Sequence, residues 1–124
     1  MVLWLQQMNG PTKTKPKPAL SSEALNLVAQ RFKLLGDPTR LRILQELFEG
    51  ELSVQDIGER VGTSQANISK HLSSLLDQGI LGRRKEGLYV YYFIADASIF
   101  ALCELVCTSL ADRFERARTQ FEPK

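Results

Sequence analysis

The chain has 124 residues, 44% hydrophobic and 24% charged, with a formal net charge of +2, which fits one globular domain of about four or five packed elements. No apolar run approaches the ~20 residues a bilayer-crossing helix needs, and MVLWLQQ at the start lacks the basic opening and full apolar region of a secretory signal. A cytoplasmic protein with no membrane partner is therefore expected, and two cysteines one helical turn apart make a poor disulfide framework.

The charge is unevenly divided. Residues 1–20 carry three lysines and no acid, while the rest of the chain carries 13 basic and 14 acidic residues. A nucleic-acid partner would therefore need positive charge placed locally. Residues 9–19, NGPTKTKPKPA, hold three prolines, one glycine and all three of those lysines. Proline fixes its own φ and turns its predecessor away from helix, so residues 1–20 read as a flexible basic arm. Residues 21–124 are then the folded domain.

SSEALNLVAQRFKLLG offers a serine cap and then Leu25, Val28, Phe32 and Leu35 at helical spacing. Gly36-Asp37-Pro38 breaks the chain. Pro38 suits the first turn of a second helix, TRLRILQELFEG, with Leu41, Leu44, Leu47 and Phe48 on one face and Gly50 ending it. In LSVQDIGERVG, Ser53 is a cap with Asp56 three residues on, and Val54, Ile57 and Val61 form the buried stripe. Gly62-Thr63-Ser64 is a tight turn that caps the next helix, SQANISKHLSSLLDQG, which buries Ile68, Leu72, Leu75 and Leu76.

Two helices joined by about three residues including glycine are a helix-turn-helix signature. The exposed face of the second carries Gln65, Asn67, Ser69, Lys70 and Ser73, short groups able to reach base edges in a major groove. Directly afterwards, ILGRRKEGLYVYYFI reads as a hairpin turning at Lys85-Glu86-Gly87, with Arg83, Arg84 and Lys85 near its tip. Residues 63–91 hold four basic and two acidic side chains. Polarity alone would equally describe a solvated surface, but this order of elements points to DNA binding.

The last segment, ADASIFALCELVCTSLADRFERARTQF, is a long helix capped by Asp96 or Ser98. Its apolar stripe runs through Ile99, Phe100, Leu102, Cys103, Val106, Cys107, Leu110 and Phe114. So small a domain has little core left to cover so wide a stripe, and the excess points to a second copy of the chain. A dimer also suits a palindromic duplex, where two recognition helices meet successive major-groove faces.

FKLLGDPTRLRILQEL, ELSVQDIGERVGTSQANISKHLSSLLDQGIL and GRRKEGLYVYYFI together resemble the ArsR/SmtB family of winged-helix transcriptional repressors, over about residues 22–115. The resemblance implies a mainly α winged helix-turn-helix with a small β-hairpin, in the order α-α-α-α-β-β-α, forming a homodimer through its terminal helices. It implies repression by occupying operator DNA, relieved by an inducer or by thiol modification. Matching the family's recognition helix assigns DNA contacts to Ser64, Gln65, Ala66, Asn67, Ser69, Lys70 and His71, and matching its wing assigns them to Arg83, Arg84 and Lys85. His71 falls in the S-x-H-L pattern as a phosphate or packing contact and not as a metal ligand.

Relatives that bind soft ions through an ELCVCDL segment have Ser53 and Gln55 of ELSVQDI as their counterparts here, so the resemblance implies no such site in this chain. The family's zinc positions correspond to Asp96, Ser98, Ser109 and Asp112, which lack an imidazole. Cys103 and Cys107 remain. They are candidates for thiol redox or reactive-sulfur sensing, for a thiolate-bound metal or metalloid, or for plain packing as small hydrophobes. No lysine, arginine or histidine lies between 96 and 112 to activate them, and Glu104 and Asp112 oppose a thiolate.

Two other classes of function compete. A winged-helix interaction module without DNA binding is disfavoured by the shortage of apolar anchors from Gln65 to Lys70. An enzyme is not expected, because one histidine, two cysteines remote from it and no phosphate-binding glycine loop leave little catalytic machinery.

Overall fold

A computed structural model describes residues 19–121. The arm expected over residues 1–20 lies almost wholly outside them. The chain divides into two units, residues 1–30 and residues 31–124.

Helix α1 (Ser22–Leu35) opens where Ser21 Oγ accepts a hydrogen bond from the Ala24 amide at 3.1 Å. Its expected inward stripe is only partly realised. Leu35 is buried together with Leu34, whereas Leu25, Val28 and Phe32 are exposed. Helix α2 (Pro38–Leu47) follows at once. The Asp37 carboxylate accepts from the amides of Thr39 at 2.8 Å and Arg40 at 3.1 Å, and Pro38 occupies the first turn, where an amide would be unpaired anyway.

The inward face of α2 differs from the expected one. Ile43, Leu44 and Leu47 are buried, whereas Leu41 is 42% exposed. Strand β1 (Leu52–Ser53) was not expected, because two residues show no alternation. Its partner is strand β3 (Tyr89–Ile94), with Leu52 opposite Tyr92 and Ser53 opposite Tyr91. Ser53 then caps helix α3 (Val54–Val61), accepting from the Asp56 amide at 3.2 Å. Helix α4 (Gln65–Asp77) leads into strand β2 (Leu81–Glu86), which pairs antiparallel with β3. The sheet order is β1-β3-β2.

Helix α5 (Ser98–Phe121) ends the described chain. Asp96 caps it, accepting from the Ser98 amide at 3.0 Å and the Ser98 hydroxyl at 2.6 Å. Arg31 of α1 reaches the other oxygen of Asp96 at 3.2 Å and the Gln78 carbonyl at 2.9 Å. The architecture is a winged helix-turn-helix with a mainly helical body. Its core joins Leu34, Leu35, Ile43, Leu44, Leu47, Ile57, Ile68, Leu72, Leu75, Ile80, Leu81 and Ile99. No described helix is long and apolar enough to cross a membrane.

Candidate nucleic-acid interface

The turn between α3 and α4 is built by three consecutive residues. Gly62 takes φ +80°, a left-handed conformation that suits glycine, and its amide donates to the Gly58 carbonyl at 2.9 Å. Thr63 Oγ1 accepts from Asn67 Nδ2 at 3.1 Å, and Ser64 Oγ accepts from the Asn67 amide at 3.2 Å. Behind the turn, Ile68, Leu72 and Leu75 are fully buried and Ile57 of α3 joins the same core. That inner stripe fixes the rotation of α4 about its axis and leaves Gln65, Ala66, Ser69, Lys70 and Ser73 exposed.

Two expected contact residues have other engagements. Asn67 is half-buried and bonded to Thr63. His71 is 8% exposed, and its Nδ1 accepts from Arg40 Nε at 3.1 Å. A three-residue step along the helix from Ile68 carries His71 onto the inner side, so it packs against α2 instead of joining the outward face. Arg40 also donates to the Leu34 carbonyl at 3.3 Å. Asp37, whose carboxyl lies below its ordinary range, completes the group. The Arg40 amide is the largest cause, opposed by desolvation and reinforced by the Thr39 amide and by the charges of His71 and Arg40. Arg40 was missed in the sequence, since nothing local marks a partner 31 positions away.

The hairpin turns at Gly87-Leu88, with Glu86 opposite Tyr89. Gly87 has φ +63° and Leu88 does not have a positive φ, as in a type II′ turn with glycine first. Arg83, Arg84 and Lys85 are all exposed, but the pleat separates them. Arg83 and Lys85 share the face of buried Leu81, and Arg84 lies on the other. Arg84 is already engaged there. Its guanidinium bonds both oxygens of Glu51, donates to Glu86 at 2.7 Å and lies 4.8 Å from the centre of the Tyr91 ring. The Arg84 bond holds the Glu51 carboxyl below its ordinary range, against desolvation.

The two thiols lie apart from α4 and the wing in sequence and line a groove of about 930 Å³ between α2 and α5. Leu41, Arg42, Phe48, Val61 and Phe100 share its lining, and the Phe48 and Phe100 rings lie 4.3 Å apart. Cys103 is half-buried and Cys107 exposed. Desolvation pushes the Cys103 thiol above its ordinary pKa, and Cys107 adds to the shift. Arg42 is a cation remote in sequence from residues 96–112, and it is drawn towards Glu46 at 3.7 Å. Among the described residues no group of three or more His, Cys, Asp or Glu is arranged to hold a metal ion. Cys103 and Cys107 are the two soft donors that line this groove.

The profile of the family described as bacterial regulatory protein, arsR family, matches residues 37–82. The arsenical resistance operon repressor of Bacillus subtilis is 36% identical over 89 residues, which are 69% of this chain and 85% of that protein. The cadmium resistance transcriptional regulatory protein CadC of Listeria innocua is 44% identical over 75 residues, 60% of this chain. This chain spans 63% of that relative's length. The structure is similar to a homodimeric winged helix-turn-helix DNA-binding domain from Mycobacterium bovis, a possible ArsR-family transcriptional regulator. The TM-score is 0.70 at 30% identity, covering 82% of this chain and 95% of the other.

Proposed function

We infer the function from a premise the comparisons establish, that this chain belongs to the ArsR family of bacterial regulatory proteins, a family of DNA-binding transcriptional regulators. The proposed function is a cytoplasmic repressor that binds a palindromic operator as a homodimer. The observation that carries it is the outward face of α4, where Gln65, Ala66, Ser69 and Lys70 are exposed over a fully buried stripe. Ser64 and Asn67 build the turn that presents this face. Gln65 and Ser69 can exchange hydrogen bonds with base edges, Lys70 can neutralise a phosphate, and Ala66 can meet a thymine methyl. The dimer is proposed from Val106, Leu110 and Phe114, which are 50%, 45% and 67% exposed along α5.

The proposed signal is a thiophilic metal or metalloid taken by Cys103 and Cys107. The half-buried Cys103 thiol, with its raised pKa, forms little free thiolate, which disfavours its direct oxidation. A soft ion instead displaces the thiol protons as it binds. Placed between α2 and α5, such an ion would alter the seating of α5 and so the spacing of two recognition helices.

The test is a duplex selection with purified protein, followed by titration of the selected operator with cadmium, arsenite or peroxide. Wild type should release DNA with cadmium or arsenite, and Cys103→Ser/Cys107→Ser should not. Equal responses of the two proteins to every effector would leave the cysteines as packing residues. Failure to select any duplex would favour a protein-interaction module.

A further inference from the structure

We propose that Arg84 positions the wing and makes no contact with nucleic acid, and that the wing's phosphate contacts come from Arg83 and Lys85 on the opposite face of β2. This rests on the operator-binding reading above. One guanidinium faces two carboxylates, Glu51 and Glu86. The three formal charges sum to about −1 at neutral pH, so this face of the wing would repel a phosphate. Three of the nitrogens Arg84 offers are occupied: Nε and one terminal nitrogen by Glu51, the other terminal nitrogen by Glu86. The N–H donors left over sit on the same terminal nitrogens, so a phosphate approaching them would meet the charge of both carboxylates.

The cluster also sits where it can control geometry. Glu51 immediately precedes β1, and Ser53 at the end of β1 caps the first helix of the helix-turn-helix. Only two residue pairs tie β1 to β3. The Arg84–Glu51 bridge is a further tie between the hairpin and the strand that enters α3. A forked guanidinium matched to a carboxylate fixes direction as well as distance, and the Tyr91 ring limits its movement on one side. An isolated exposed ion pair does little, but this cluster combines two carboxylates with a ring.

On the other face, Arg83 and Lys85 stand opposite Tyr92 and Val90. They are exposed, and no carboxylate pairs with them among the ion pairs of the described residues. Leu81, on the same face, belongs to the core that holds α4. The free cations therefore share a side with the recognition helix, and the wing has one binding face and one bracing face.

Operator affinity measured over a range of salt concentrations separates the two roles, because each phosphate contact adds about one to the slope of log K against log salt. Arg83→Gln and Lys85→Gln should each lower that slope by about one. Arg84→Gln and Glu51→Gln should weaken binding about threefold to tenfold with the slope unchanged, and the double variant should be no weaker than the weaker single one. Arg84→Lys, which keeps the charge and loses the fork, should behave like Arg84→Gln. These comparisons apply to variants whose Tm matches wild type.

The proposal is overturned if Arg84→Gln lowers the slope by about one while Glu51→Gln tightens binding, or if Arg84→Lys binds like wild type. It is also overturned if none of the Arg84 and Glu51 variants changes affinity. Should wild type select no operator, the regulatory reading fails independently. The brace is then read from amide exchange in β1 and β3, which both Arg84→Gln and Glu51→Gln must accelerate for it to stand.

Discussion

Cys103 and Cys107 are one helical turn apart and yet differ in surroundings, the first half-buried beside Phe100 and the second exposed. Alkylation followed by mass spectrometry should therefore label Cys107 before Cys103 at neutral pH, since the Cys103 thiolate is disfavoured by burial. Equal labelling rates would mean the groove is open to both. Gly82 illustrates a different constraint. A Cβ placed there would lie 2.5 Å from Cζ of Phe93, so Gly82→Ala must push that ring off the sheet. A loss of roughly 1–3 kcal/mol in denaturant titrations is expected, in the range of other overpacking changes, and no loss would show that the ring swings away freely. Neither constraint is legible in sequence, where Gly82 is only a glycine in a strand and Phe93 lies 11 positions away. Ile43 was hidden for a related reason. Leu41 and Ile43 are both plausible core residues in TRLRILQEL, and packing selects Ile43, fully buried, while leaving Leu41 at the edge of the groove.

At the scale of elements, the local chemistry of the chain specifies most starts and stops. Asp37 before Pro38, Ser53 before Val54 and Ser64 before Gln65 each bond an amide of the helix they open. Replacing Ser53 with alanine should cost about 1 kcal/mol of stability by urea titration. A change within error would mean that β1 pairing, rather than the cap, holds the start of α3. Caps and helical spacing are local, which is why the helix-turn-helix could be read from the chain. The β1 strand could not, because its two residues become a strand only through Tyr91 and Tyr92, brought from the far side of the recognition helix. The recognition face was legible in outline. Of the two roles expected for His71, a phosphate or a packing contact, its burial next to Arg40 fits packing. Arg84 was assigned by its neighbours in sequence, whereas its partner Glu51 lies 33 residues earlier.

For the molecule as a whole, three carboxylates link stability to pH. Asp37, Glu51 and Asp96 are all held below their ordinary values of 3.8, 4.5 and 3.8. Their causes are the Arg40 amide, the Arg84 guanidinium and the Ser98 hydroxyl respectively, each the largest contribution. A carboxyl with a depressed folded pKa contributes stability above its unfolded value and loses it as pH falls through the folded one. The melting temperature should accordingly hold steady down to about pH 5 and fall below about pH 4. A melting temperature that stayed constant to pH 3 would show these contacts to be negligible. In the proposed dimer, the apolar residues left uncovered along α5 form the interface. Phe114→Asp should turn a dimer into a monomer in sedimentation experiments and weaken operator binding, since one recognition helix reads only half of a palindrome.

The outward face of α4 is proposed to read a duplex. The most direct measurement compares the operator sequences selected by wild type with those selected by Gln65→Ala and Ser69→Ala. Wild type should select a symmetric site, and the variants should show relaxed preference at one or two positions in each half-site, with each lost base contact worth about 1–3 kcal/mol. Identical selected sites for all three proteins would contradict that reading.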